Sequence, residues 1–334
     1  MNMRKEVCID SNIEGNMQKK ACLGIDIGGT SVKLGLFDLE GALLEKWSIP
    51  TNRERNGAEI IQDIAASVNR KLYERKLKPE RLTGIGAGVP GQVSEDGMVL
   101  LAENLGWQNV PLGRELSEQT GLPVRTENDA NLAAFGEAWK GSARDCHSMM
   151  FVTLGTGIGC GIVVKNQILT GVYGTAGEIG HMHVEDRMPV PCVCGKYGCL
   201  EQLASATGLR WMGERALEQT MEPSLLRNEK VSAKTVFEAA GKEDRVAVQI
   251  AERFGKYLGK ALADCTCLLN PEMIVIGGGV TKGGQIVLDY IEKYYRQYAY
   301  EPFGGTKLRL ASLGNDAGIY GAARLIMMDK TDTF

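Results

Sequence analysis

The sequence predicts an α/β protein whose two lobes face a shared cleft. Two observations carry this reading. A Gly/Thr turn between two apolar β-type runs occurs at 23–36 and again at 149–163, the mark of an internal duplication, against the alternative of two unrelated hairpins. Around these runs, strands alternate with amphipathic helices, and no low-complexity linker divides the chain. At 334 residues the chain exceeds one ordinary core and suits two domains. The expected division is a polar extension over 1–20, a small N-terminal lobe over 21–134 plus 316–334, and a large C-terminal lobe over 135–315. The polar opening ends at Met17, an alternative start to Met1.

The first elements are strands at 21–27, 31–39 and 42–49, joined by tight Gly-containing turns into an antiparallel meander. Ile60, Ile64, Val68 and Leu72 recur at intervals of four, so 59–77 reads as an amphipathic helix that Pro79 stops. A small-residue strand follows at 82–89, then a helix at 111–120 with Pro at its start, and a short strand at 122–126. A helix at 130–139 precedes the second strand-turn-strand unit. The remainder is more helical, with helices at 231–241, 243–269, 284–298 and 316–328 and strands at 272–276 and 307–313. Pro271 ends the long helix.

Composition narrows the function. Hydrophobic residues make up 44% of the chain and the net charge is −3, which suits a soluble protein and argues against a basic nucleic-acid face. No apolar run approaches membrane-spanning length, and the first twenty residues lack a signal-peptide core. The nine cysteines, odd in number and mostly scattered, suit a reducing compartment, so a cytoplasmic location is expected.

Three glycine-rich turns each follow an apolar strand. In Asp26-Ile27-Gly28-Gly29-Thr30 the glycines let backbone N–H groups approach phosphate oxygens, Thr30 adds a hydroxyl, and Lys33 can reach the same phosphates. Asp26, at a strand end, can hold Mg2+ or its water shell. Gly155-Thr156-Gly157 is the second turn, and Gly277-Gly278-Gly279 the third. One such turn usually only joins strands, and none is a Walker loop. Three in this order argue for a nucleotide between the lobes. Glu127-Asn128-Asp129 precedes a helix, where capping is the plain reading. The functional reading makes Asp129 the general base that takes a proton from a substrate hydroxyl attacking the γ-phosphate of ATP.

The densest motif is Cys192-x-Cys194-Gly195-x-x-Gly198-Cys199-x-Glu201, with His181 and His183 upstream. Three thiolates and one imidazole complete a structural zinc shell with no open position for a reactive water. Which histidine serves is open, His181 or His183. Glu178 and Glu201 bracket the clamp and suit the substrate's hydrogen-bond acceptors.

These residues carry a resemblance to the ROK family of bacterial sugar kinases and repressors, above all to its glucokinases. It covers nearly everything from Cys22 to Met328, and rests on Asp26 to Thr30, Glu127-Asn128-Asp129-Ala130-Asn131, Glu178-Ile179-Gly180-His181 and the cysteine motif. The resemblance implies an actin-like (ribonuclease H-like) two-lobed fold closing on Mg-ATP and a hexose, with ATP held by the glycine turns, among them Gly28, Gly29, Gly155, Gly157, Gly278 and Gly279. It implies Asp129 as catalytic base and Asn104, Asn128, Asp129, Glu178, His181 and Glu201 as sugar partners. Zinc ligands would be His181, Cys192, Cys194 and Cys199, although the spacer from His181 to Cys192 is a residue longer than the family pattern. A homodimer or higher homo-oligomer is implied as well. Glucose is the expected sugar, with N-acetylmannosamine and fructose as alternatives. A sugar-responsive repressor is the rival of another class; such repressors carry a helix-turn-helix domain, for which the polar opening segment is too short.

Overall fold

The computed structural model describes residues 21–300 and 305–328. The expected extension over 1–20, with both candidate starts, lies outside the described residues, as does the end of the small-lobe segment beyond 328. Three strands open the fold as an antiparallel meander: β1 (Ala21–Ile27), β2 (Ser31–Asp38) and β3 (Leu43–Pro50). Nearly all of β1 is buried because it is the central strand, whereas β3 alternates between half-buried and exposed as an edge strand does. Helix α1 (Ile60–Glu74) buries Ile60, Ile64, Val68 and Leu72, the stripe predicted from their spacing.

Next come β4 (Leu82–Val89), then β5 (Gln92–Val93), β6 (Val99–Ala102) and β7 (Trp107–Val110), which form a separate three-stranded sheet that was not predicted. Helix α2 (Leu112–Thr120) leads to β8 (Val124–Asn128), and α3 (Asp129–Lys140) begins without a break. β4 and β8 run parallel to β1, giving the order β3-β2-β1-β4-β8.

The second sheet repeats this plan. β9 (Met149–Leu154), β10 (Ile158–Val164) and β11 (Gln167–Ile168) are antiparallel, and β12 (Met273–Gly277) and β13 (Lys307–Leu310) add in parallel, in the order β11-β10-β9-β12-β13. The duplication read from the glycine turns is therefore present as topology. Between β11 and β12 lie α4 (Glu201–Ala204), α5 (Ala206–Gln219), α6 (Ala233–Ala240) and α7 (Arg245–Leu269). The sequence reading omitted α5, although Ser205 caps it through Gly208 N–H and Leu209 and Met212 face the core. Helix α7 has Asp244 as its N-cap and Asn270 in the left-handed region at its end. After β12 (Met273–Gly277) come α8 (Gln285–Tyr298), β13 (Lys307–Leu310) and α9 (Ala317–Met327). Strand β13 ends three residues earlier than predicted, where the chain leaves the second sheet. Among the described residues no helix is long and apolar enough to cross a membrane.

Helix α9 returns to the first sheet, packs on β1 and β4, and crosses α3. The crossing is backbone-close: a Cβ on Gly321 would stand 1.8 Å from the Leu132 carbonyl oxygen, and one on Gly136 2.2 Å from that of Ala317. Gly321→Ala must push the helices apart and is expected to cost about 3 kcal/mol, the upper part of the overpacking range. A thermal melt unchanged within experimental error would contradict this close packing.

Candidate active site

At the end of β1, Asp26 pairs across the hairpin with Lys33 and lies beside Gly88 of β4. Lys33 Nζ is 3.1 Å from Asp26 Oδ2 and donates to the Asn315 carbonyl at 3.0 Å. Lys33 is thus engaged beside the phosphate turn rather than extended over it. The turn is closed by Gly28 N–H on the Ser31 carbonyl and held by Thr51, whose hydroxyl donates to the Gly28 carbonyl at 2.6 Å. Thr51, missed in the sequence, holds a second point of the turn through its N–H to Thr30 O at 3.1 Å. Thr30 and Asn104 are exposed, and Asn104 Cβ would stand 4.0 Å from a Cβ on Gly29.

Asp129 is the first residue of α3. The capping expected of this stretch belongs to Asn128, whose side-chain oxygen accepts from Ala130 N–H at 2.8 Å and Asn131 N–H at 3.2 Å. Its amide donates to the Gly91 carbonyl at 3.0 Å. Asp129 accepts from Ala130 N–H at 2.8 Å and is half-buried. Burial, then the charges of Asp26 and Glu178, push its carboxyl up to about 6. Behind it sits Glu127, which accepts from Asn131 Nδ2 at 2.9 Å and Asn128 N–H at 2.7 Å and is raised by its own burial.

The two glycine turns of the second sheet lie side by side. Gly278, at φ +90°, presses so close to β9 that a Cβ would stand 2.5 Å from the Leu154 backbone, and Gly279 beside it faces open space. Strand β9 runs directly into Gly155, Thr156 and Gly157. Any Cβ on Gly157 would lie 2.4 Å from Glu201 Oε2, so a phosphate-type turn and a carboxylate of the cysteine loop are adjacent. Glu201 Oε1 is 3.8 Å from His181 Nδ1, and His181 Nε2 is 4.0 Å from Glu178 Oε2.

The cysteine loop closes on itself. Ligand atoms of His181, Cys192, Cys194 and Cys199 all lie within 4.8 Å of one another. Cys194 Sγ and Cys199 Sγ are 3.6 Å apart, as are Cys192 Sγ and His181 Nδ1. A tetrahedron built with Zn–S of about 2.3 Å and Zn–N of about 2.0–2.1 Å has S···S edges of about 3.8 Å and S···N edges of about 3.5 Å, so the donor set fits zinc. His183 is turned away: Nε2 meets Asp186 Oδ1 at 2.9 Å and Nδ1 the Tyr197 carbonyl at 3.0 Å. The structure therefore gathers His181, not His183, with the cysteines. All cysteines among the described residues are free thiols.

Known proteins resemble this chain over nearly its whole described length. The sequence profile of the ROK family matches residues 22–329. A protein of Halalkalibacterium halodurans named glucokinase is 42% identical over 320 residues, covering 94% of this chain and 97% of that one. The ROK family glucokinase from Streptomyces griseus, solved in complex with glucose and AMPPNP, is 34% identical, with a TM-score of 0.74 over 91% of this chain and 98% of that one. The ROK hexokinase from Thermus thermophilus is 32% identical, with a TM-score of 0.78 over 91% of this chain and 96% of that one.

Proposed function

The chain belongs to the ROK family, and from that premise we propose that it is a glucokinase, transferring the γ-phosphoryl group of ATP to D-glucose to give ADP and D-glucose 6-phosphate. The observation that carries this reading is the position of Asp129. A carboxylate raised to about 6 lies at a helix start under the charges of Asp26 in the phosphate turn and Glu178 in the cysteine loop. A general base belongs there, between donor and acceptor.

Asp129 accepts the proton of the attacking sugar hydroxyl, and the resulting oxygen displaces ADP in line at the γ-phosphorus. Glu178, His181, Glu201, Asn104 and Asn128 pair with the sugar's other hydroxyls. A site that pairs each hydroxyl rejects analogues that leave its buried groups unpartnered. The three glycine turns offer N–H groups to the phosphates, while Asp26, braced by Lys33, is the residue suited to hold Mg2+. When bound, Mg2+ neutralises the charge that builds on the β- and γ-phosphates. Zinc in the His181, Cys192, Cys194 and Cys199 shell has a purely structural part, holding Glu178 and Glu201 at the two ends of the loop.

The test is a coupled ADP-release assay with Mg-ATP against glucose, mannose, fructose, N-acetylglucosamine and N-acetylmannosamine. Turnover with glucose should far exceed the rest. Turnover confined to an N-acetylated sugar would move the substrate and leave the chemistry in place. The assay also reads the base. Ionised Asp129 is the active form, so kcat/KM should fall about tenfold per pH unit below about 6 and level off above it. A profile flat down to pH 4.5 would remove Asp129 from the base role.

A further inference from the structure

The described chain passes from the first sheet to the second through 141–148, between α3 and β9, and returns through 311–316, between β13 and α9. Both passes meet at one side chain. Glu137, on α3 eight residues beyond Asp129, is 0% exposed. Its Oε2 accepts from Ser142 N–H at 2.7 Å, on the outbound pass. Its Oε1 accepts from Leu313 N–H at 2.8 Å and Ser312 N–H at 3.0 Å, on the return pass. The Ser312 hydroxyl adds a longer contact at 3.3 Å. Oε1 therefore serves the return pass alone, while Oε2 takes Ser142 N–H and bridges to the return pass through the Ser312 N–H and hydroxyl, both at 3.3 Å.

Segments beyond these bonds reach the site. Asn315, two residues past Leu313, supplies the carbonyl that holds Lys33 on Asp26, and Asp316 Oδ2 is 2.7 Å from Lys46 Nζ. Gly318, at the start of α9, lies against Asp26, where a Cβ would be 2.9 Å from its Cγ. At the other end of α3 stands Asp129. A buried carboxylate is costly unless fully hydrogen-bonded, and here the bonds go to the two segments that join the sheets.

We infer that Glu137 is a positioning residue of the phosphoryl transfer. It staples the two passes in register, so that Asp129 and the Asp26 turn in one lobe meet the Gly155 and Gly278 turns of the other in line. The kinetic half of this inference rests on the kinase reading above; the structural half does not.

Glu137→Gln separates the two. Whichever way the amide lies, its NH2 replaces an accepting oxygen and opposes either Ser142 N–H or the closer Ser312 and Leu313 N–H groups. At a temperature well below the variant's melting point, amide hydrogen exchange should quicken at least about tenfold in 141–143 or in 312–316 while the middle of α3 stays protected. The value of kcat should fall at least about tenfold, with KM for glucose within about threefold, because alignment rather than sugar binding is lost. A residue that only supports the fold would lower the melting temperature and leave kcat of the folded enzyme intact; that result, or unchanged exchange in both segments, overturns the inference. If the wild-type protein phosphorylates no hexose, the kinase reading fails, and the exchange result alone decides the staple. Should the glutamine variant not fold, Glu137→Asp, which keeps the charge but is one methylene shorter, is read in the same assays.

Discussion

Asp129→Asn should lower kcat by about 10²–10⁴, the usual contribution of a positioned general base, and should at the same time make the protein more stable. Both effects come from one carboxylate. Asparagine keeps the shape and can still accept from Ala130 N–H, so α3 and its Asn128 cap should remain. The gain in stability follows from the direction of the shift. A carboxyl raised from its ordinary value to about 6 favours the protonated form in the folded protein. Its contribution to stability is therefore present in full below the unfolded value of about 3.9 and is lost as pH rises through about 6. At pH 7 the ionised group opposes folding by about 2 kcal/mol, from a two-unit displacement at 1.36 kcal/mol per unit reduced for partial solvent access. The melting temperature of the variant should exceed that of the wild type at pH 7, and the difference should vanish near pH 4. A variant that is inactive but equally stable at both pH values would mean that Asp129 is not held under strain by its burial and by the charges of Asp26 and Glu178.

The second large effect concerns zinc. The protein should contain one zinc per chain, and Cys194→Ser should abolish its retention and raise KM for glucose at least about tenfold. Cys194 is exposed and packs against no core, so the loss can be traced to ligation. Glu178 and His181 precede the cysteines and Glu201 follows them, so an open shell frees together the carboxylates proposed to hold the sugar. The two sheets have their own cores, and circular dichroism should change little. Elemental analysis and sugar kinetics before and after dialysis against a chelator are the check. Zinc-free protein with an unchanged KM would reduce the loop to a set of reduced thiols.

Much of this site was legible in the sequence because its groups lie in short contiguous motifs. The Asp26 turn, Asn128-Asp129 and the cysteine run each place their residues by local backbone geometry. The choice between His181 and His183 was not legible, since both lie within reach of the cysteines and only the pairing of His183 with Asp186 and Tyr197 takes it away. Glu137 was invisible for a related reason: its partners, at 142 and 312–313, are brought together by the crossing of α3 and α9. Strands β5 to β7 are two to four residues long and escape a periodicity argument. Helix α5, by contrast, had a readable cap and apolar spacing.

The most direct test of the central claim is phosphorus NMR of a reaction holding the protein, glucose, ATP and Mg2+. The account predicts a sugar phosphomonoester signal growing in step with ADP, absent when glucose is left out and absent for Asp129→Asn. ADP accompanied only by inorganic phosphate, or no ADP at all, would contradict it.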